Sequence, residues 1–115
     1  MNNNTFIFSN LDSTIEGKYM KAKGVREKYL PKLYSIQRNL GEALTEEQRK
    51  VEQGGRKSID AYYYSLRIMS ILNEVQEVIE ALKRYDDDSN VDETEIDMKI
   101  RVIREEIADL PLLEK

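Results

Sequence analysis

Ile96, Ile100, Ile103, Ile107 and Leu110 recur at intervals of four, three, four and three residues, a spacing that lines up on one side of the backbone only if the segment is an α-helix. The same period governs most of the chain. Tyr64, Ile68, Ile71, Leu72, Val75, Ile79 and Leu82 draw an apolar arc over residues 57 to 85, which predicts a long central helix packed on a core. Upstream, Ile15, Tyr19, Ala22, Val25 and Tyr29 keep helical spacing, as do Leu33, Ile36, Leu40 and Leu44. Only Thr5-Phe6-Ile7-Phe8-Ser9 has β character, so no strand of consequence is expected.

Breaker and capping residues divide these stripes. Ser13 with Glu16 has capping-box spacing, so a first helix is expected over 14–30. Pro31 ends it, because a proline disfavours helical geometry in the residue before it, and the same proline suits the first turn of a second helix. That second helix runs toward residue 53, weakened at Gly41 and restarted by Thr45 with Gln48. Gly54-Gly55 is the clearest break. After the central helix, Asp86-Asp87-Asp88-Ser89-Asn90-Val91-Asp92 reads as a loop. Asp92 with Glu95 then makes a capping box, and Val91 and Ile96 stand at staple positions at the start of the fourth helix, which Pro111 limits. The expected fold class is all-α: an antiparallel bundle of about four helices over residues 13–115, preceded by a short extended N-terminal arm at 1–12.

A chain of 115 residues builds one modest core and leaves no room for a second domain. Cysteine and histidine are both absent. Disulfides, thiolate metal sites and histidine-based general-base or nucleophile systems are thereby excluded, and any metal would be a hard cation on carboxylates. No stretch approaches the roughly 18 to 20 apolar residues that span a bilayer, and the N-terminus lacks a signal-peptide pattern, so a cytoplasmic protein with no membrane contact is expected. Net charge is −4. Residues 1–58 hold 11 basic and 7 acidic side chains and residues 59–115 hold 7 and 15, which suggests two halves packing through complementary surfaces.

Chemistry is concentrated in two acidic pairs. Glu74 and Glu77 sit one turn apart on the central helix, and Glu106 and Asp109 sit one turn apart on the last. Such pairs weaken an isolated helix unless a cation or basic partner compensates. A chain with 22 acidic residues also generates them as ordinary solvated helix faces, and Glu77 lies nearly opposite the apolar arc. The strings Asn73-Glu74-Val75-Gln76-Glu77 and Arg104-Glu105-Glu106-Ile107-Ala108-Asp109-Leu110 resemble the MazG-like all-α nucleoside triphosphate pyrophosphohydrolases, a resemblance confined to the C-terminal third. It implies that Glu74, Glu77, Glu106 and Asp109 hold magnesium for cleavage between the α and β phosphates.

Three other patterns stand in the sequence. Asp86, Asp88, Asn90, Asp92, Thr94 and Asp97 have EF-hand ligand spacing, but Val91 stands where the turn needs Gly and Asp97 where a bidentate Glu is usual. Lys18, Lys21, Lys23, Arg26, Lys28 and Lys32, with Tyr19 and Tyr29 among them, could follow a phosphate backbone. The acidic C-terminal half argues against nucleic acid and for an acidic protein surface as their counterpart. Gly54-Gly55 lacks the flanking strand and Lys of a phosphate loop. The reading preferred from sequence is a small acidic protein-binding module, an assembly component, adaptor or inhibitor with no cofactor, and with a protein partner or homo-oligomer. Phe6, Ile7, Phe8, Tyr62 and Tyr63 are its candidate contact residues. The alternative is the magnesium-dependent pyrophosphohydrolase.

Overall fold

In the computed structural model, which describes residues 19–110, one helix, α1 (Ala22–Gln53), passes straight through Pro31. The sequence predicts two helices there. An interior proline removes one backbone hydrogen bond and crowds the carbonyl four residues back, at a cost of about 3 kcal/mol. Val25, Tyr29, Leu33 and Leu40 are buried on one face across the break, with Ile36 and Leu44 half-buried beside them. The apolar phase is the same on both sides of Pro31. Burial of each large side chain contributes about 1.5–3 kcal/mol, so a continuous rod that keeps them all on the core outweighs the local penalty. Nor is there a restart at Thr45, whose hydroxyl donates to the Gly41 carbonyl at 3.0 Å inside unbroken helix.

The start of this helix also differs from expectation. Residues 19–21 are extended and form β1 (Tyr19–Lys21), which pairs antiparallel with β2 (Asn90–Asp92) in the register Tyr19 to Asp92, Met20 to Val91 and Lys21 to Asn90. The loop before β2 accounts for the boundary. Ala22 and Lys23 donate their backbone N–H groups to the carbonyls of Ser89 (2.7 Å) and Asp87 (3.3 Å), so two of the orphan donors of a helix start are satisfied by the chain 65 or so residues on. The capping pair Ser13 and Glu16, the N-terminal arm with Phe6, Ile7 and Phe8, Lys18 and Pro111 lie outside the described residues.

α1 and α2 (Lys57–Arg84) are joined by Gly54, Gly55 and Arg56. Gly54 and Gly55 have φ of 74° and 87°, the left-handed region that costs glycine nothing and other residues about 1 kcal/mol or more. Gly54 N–H closes on the Val51 carbonyl, and Ser58 returns both its N–H and its hydroxyl to the Gly55 carbonyl. A turn this short forces the two rods antiparallel. Ile68, Ile71, Val75, Ile79 and Leu82 are buried against α1, as the arc predicts.

Asp92 caps α3 (Glu93–Ala108) by accepting the Thr94 N–H at 3.0 Å. Val91 and Ile96, the two staple residues, are both buried, as are Ile100, Ile103 and Leu110. α3 lies along the first half of α1 and the second half of α2. At its seam with α1, a groove of about 580 Å³ runs past Pro31, Ile36 and Arg104. The remaining half of the α1–α2 hairpin carries no third helix among the described residues. Among the described residues the architecture is thus three helices with a two-stranded ribbon at one end, measuring 66 × 29 × 18 Å. Over residues 22–53 the two expected helices are one.

Pro31 is exposed, so its ring packs nothing that alanine would lose. Pro31→Ala is expected to raise the unfolding free energy by about 1–2 kcal/mol. The regained backbone hydrogen bond and relieved crowding exceed the roughly 0.4–1 kcal/mol by which proline restricts the unfolded chain. Urea unfolding of the two proteins checks this, and a lower midpoint for the variant would mean that α3 packs on a bend that the proline creates.

Candidate functional site

Arg26, Lys28 and Lys32 of α1 and Lys21 of β1 are engaged at the ribbon end. Arg26 donates to the carbonyls of Leu82 (3.1 Å) and Tyr85 (2.8 Å), and pairs with the Asp87 carboxylate. Those carbonyls belong to the end of α2, where a helix leaves acceptors unsatisfied and favours positive charge. Lys21 donates to the Asp88 carbonyl at 3.1 Å. Lys28 pairs with Glu93, which is buried and also accepts the Tyr29 hydroxyl at 2.8 Å. Burial, and then the neighbouring carboxylates of Glu93 and Asp97, push the Tyr29 hydroxyl far up, and the bond to Glu93 holds the Lys28 ammonium above its usual range. The ammonium groups of Lys28 and Lys32 both stand over the Tyr29 ring, 5.2 and 5.3 Å from its centre, in cation–π range.

The EF-hand spacing is dissolved by the same contacts. Asp87 supplies a carbonyl and a carboxylate to α1, Asn90 lies in a strand and Asp92 is a helix cap. The segment is a structural joint.

Of the four carboxylates in the acidic pairs, the fold brings Glu74 and Glu106 together across the α2–α3 seam, with Glu77 close enough to act on Glu74. The facing Glu106 carboxyl, then burial, then the charges of Glu106 and Glu77 push the Glu74 carboxyl above the usual carboxylate range. Both residues are half-buried, and Glu106 Oε1 is buried without a hydrogen-bond partner. Glu77 and Asp109 are exposed. Asp109 terminates α3 and stands with Glu106, Arg67 and Ser70 around one hollow, while Glu74 and Glu77 line a second, of about 440 Å³, with Met98 and Lys99. Among the described residues, no three carboxylates are gathered closely enough to ligate one metal ion.

A second surface was only half visible in the sequence. Tyr62 and Tyr63 are 51% and 60% exposed, their rings edge to face with centroids 5.7 Å apart. They are joined by Ile59 (62%), Leu66 (44%) and Met69 (44%). Ile59, Tyr62, Leu66 and Met69 follow intervals of three, four and three, so they form a stripe on the side of α2 opposite Ile68 and Val75. This stripe begins in the half of the hairpin beyond α3 and ends beside α3, whose Asp109 shares a hollow with Arg67 and Ser70. Its signal was available as a second apolar period on the same helix, hidden because the core arc is stronger.

Family models, curated proteins and solved structures yield no match to this chain. Among the described residues, no helix is long and apolar enough to cross a membrane.

The acidic seam makes a signed prediction. Glu74 holds its proton more tightly in the folded chain than in the unfolded one, so the pair lowers stability as pH rises from the ordinary carboxylate range through the raised folded value. Lys99 and Glu95 on α3, and Arg67 and Asp109 at the far end, are the other charges facing it. Glu106→Gln is expected to gain about 0.5 kcal/mol at neutral pH, discounted for solvent screening. The gain should shrink as pH falls to where the wild-type Glu74 is already protonated. Urea midpoints of both proteins at neutral and mildly acidic pH measure the difference; equal gains at both would dissociate the effect from this pair.

Proposed function

We propose that this chain is a small helical module that acts through protein–protein contact, as a component of an assembly, with the outer face of α2 as its docking surface. The observation that carries the reading is the row of five large apolar side chains, Ile59, Tyr62, Tyr63, Leu66 and Met69, each 44–62% exposed on a helix whose opposite side is already committed to the core. Contiguous apolar surface of this kind is uncommon on a solitary protein, and paired tyrosines give broad contact with polar tips that tolerate water before docking. Lys21 of β1 and Arg26, Lys28 and Lys32 of α1 are already engaged with carbonyls, carboxylates and a ring of the same chain, which weakens support for a nucleic-acid role.

The double variant Tyr62→Ser with Leu66→Ser alters a face outside the core, so it is expected to keep the helical circular dichroism of the wild type and to lose a partner that the wild type retains at fixed stoichiometry. Affinity capture with both proteins as bait, followed by reconstitution of whatever is retained, measures this. Identical retention by the two baits would remove the stripe as the docking surface.

A second reading is favoured by the facing pair Glu74 and Glu106 with Glu77 beside it, and by the partnerless Glu106 Oε1. An all-oxygen, carboxylate donor set suits magnesium or manganese. Glu74 and Glu106 would hold the ion across the seam, and Glu77 and Asp109, the further ligands that the resemblance to MazG-like pyrophosphohydrolases implies, would have to close on it. A bound cation would relieve their repulsion and neutralise phosphate charge. On this reading, magnesium or manganese raises the melting temperature of the wild type and not of Glu106→Gln, by linkage to the folded state. Release of pyrophosphate from deoxynucleoside triphosphates should depend on the same residue. Equal behaviour of the two proteins in both assays would leave the docking module alone.

A further inference from the structure

We propose that the occupant of the α2 stripe is α2 of a second copy of this chain, laid antiparallel about a two-fold axis level with position 64. This rests on reading the stripe as a docking surface, and it names the partner.

The spacing of the stripe is its own mirror. Intervals of three, four and three between Ile59, Tyr62, Leu66 and Met69 mean that reversing the helix about position 64 sets Ile59 against Met69 of the second copy and Tyr62 against Leu66. Apolar positions meet apolar positions throughout, which is the condition for a self-complementary two-fold interface. A parallel pairing would also match the stripe with itself, but it continues the contact into Glu77 and Glu80 on the same face and sets each beside its own copy. The antiparallel pairing carries these acids past the end of the other copy's α2.

The area and shape agree with this occupant. A large side chain presents on the order of 200 Å², so five that are about half exposed offer roughly 500 Å² per copy and roughly 1,000 Å² together, the lower bound of a specific interface. The outer face of α2 turns polar beyond Met69, at Asn73, Gln76, Glu77 and Glu80, all of them exposed, with Gln76 bonded to Gln37 and Glu80. In the antiparallel register, residues 57–71 of the two helices overlap, and the rest of each α2 projects past the other copy's Gly54-Gly55 turn. The two α3 helices then lie at opposite ends, each beside only the 67–71 end of the overlapping segment of its own α2.

The chain has no cysteine, so introduced thiols report on this contact alone. With Ile59→Cys and Met69→Cys in one full-length chain, mild oxidation is expected to give a disulfide-linked dimer. Ile59→Cys alone is expected to give none, because its two copies stand ten residues apart along the axis, about 15 Å and beyond disulfide reach. Wild-type mass by sedimentation is expected to double with concentration, with the midpoint moved at least about tenfold by Leu66→Asp. Cross-linking of Ile59→Cys alone as readily as the double variant would overturn the antiparallel register. A wild type monomeric up to about 1 mM would overturn the second copy as occupant. If such a monomer still captures a partner that the Tyr62→Ser, Leu66→Ser variant loses, the docking module stands without this inference; if capture ignores the stripe, both fall.

Discussion

Arg26 ties the two ends of the hairpin together, and the arrangement of the ribbon end follows from it. One guanidinium reaches the last carbonyls of α2 and the carboxylate of Asp87, while the loop holding Asp87 sends carbonyls back to the first amides of α1. Each helix terminus is therefore satisfied by the other. A guanidinium suits this place because its fixed fork of donors can serve several acceptors at once, which an ammonium cannot do with the same geometry. With the loop pinned, Asn90–Asp92 is presented to Tyr19–Lys21 as a strand, and Asp92 is left at the right level to start α3.

The buried Glu93 continues the same logic one turn inward. A carboxylate in the core is costly unless paired and hydrogen-bonded, and Lys28 and the Tyr29 hydroxyl supply both. Further along the α2–α3 seam that compensation stops: Glu74 and Glu106 face one another, and among the described residues neither has an ion-pair partner. The molecule thus has one acidic position that is fully matched and another that is not. The unmatched one sits where the resemblance to metal-dependent enzymes had drawn attention, although Asp109 falls on the other side of Glu106 and closes no cage with it.

Much of this was legible residue by residue. The arc from Tyr64 to Leu82, the glycine break, the Asp92 cap and the isoleucine ladder of α3 all read correctly, because each rests on local periodicity or on a cap within a few residues. Pro31 misled because its penalty is local while the burial that overrides it is spread over Val25 to Leu40 and supplied by α2 and α3. The ribbon was invisible for a related reason. Tyr19, Met20 and Lys21 continue a helical pattern, and what draws them into a strand is a loop some 70 positions away. The charge split did carry information, since Arg26 and Lys28 pair with Asp87 and Glu93 across the halves. Which acids face which cations depended on a fold not yet known. Of the surface stripe, Tyr62 and Tyr63 stood out as aromatics; Ile59, Leu66 and Met69 did not, because a single exposed aliphatic is unremarkable until its neighbours on the wheel are known to be exposed as well.

The uneven thickness of the molecule sets how it comes apart. At the ribbon end, α1 and α2 are covered by α3 and locked by Arg26, so amides there exchange with solvent only when much of the core opens. Toward Gly54, among the described residues, the same two rods are held by one another, with fewer buried side chains per turn. Opening there needs less free energy, and the pair should fray from its glycine turn inward as a partly independent unit. A surface carried on the segment that loosens first can adjust its helix to whatever it meets.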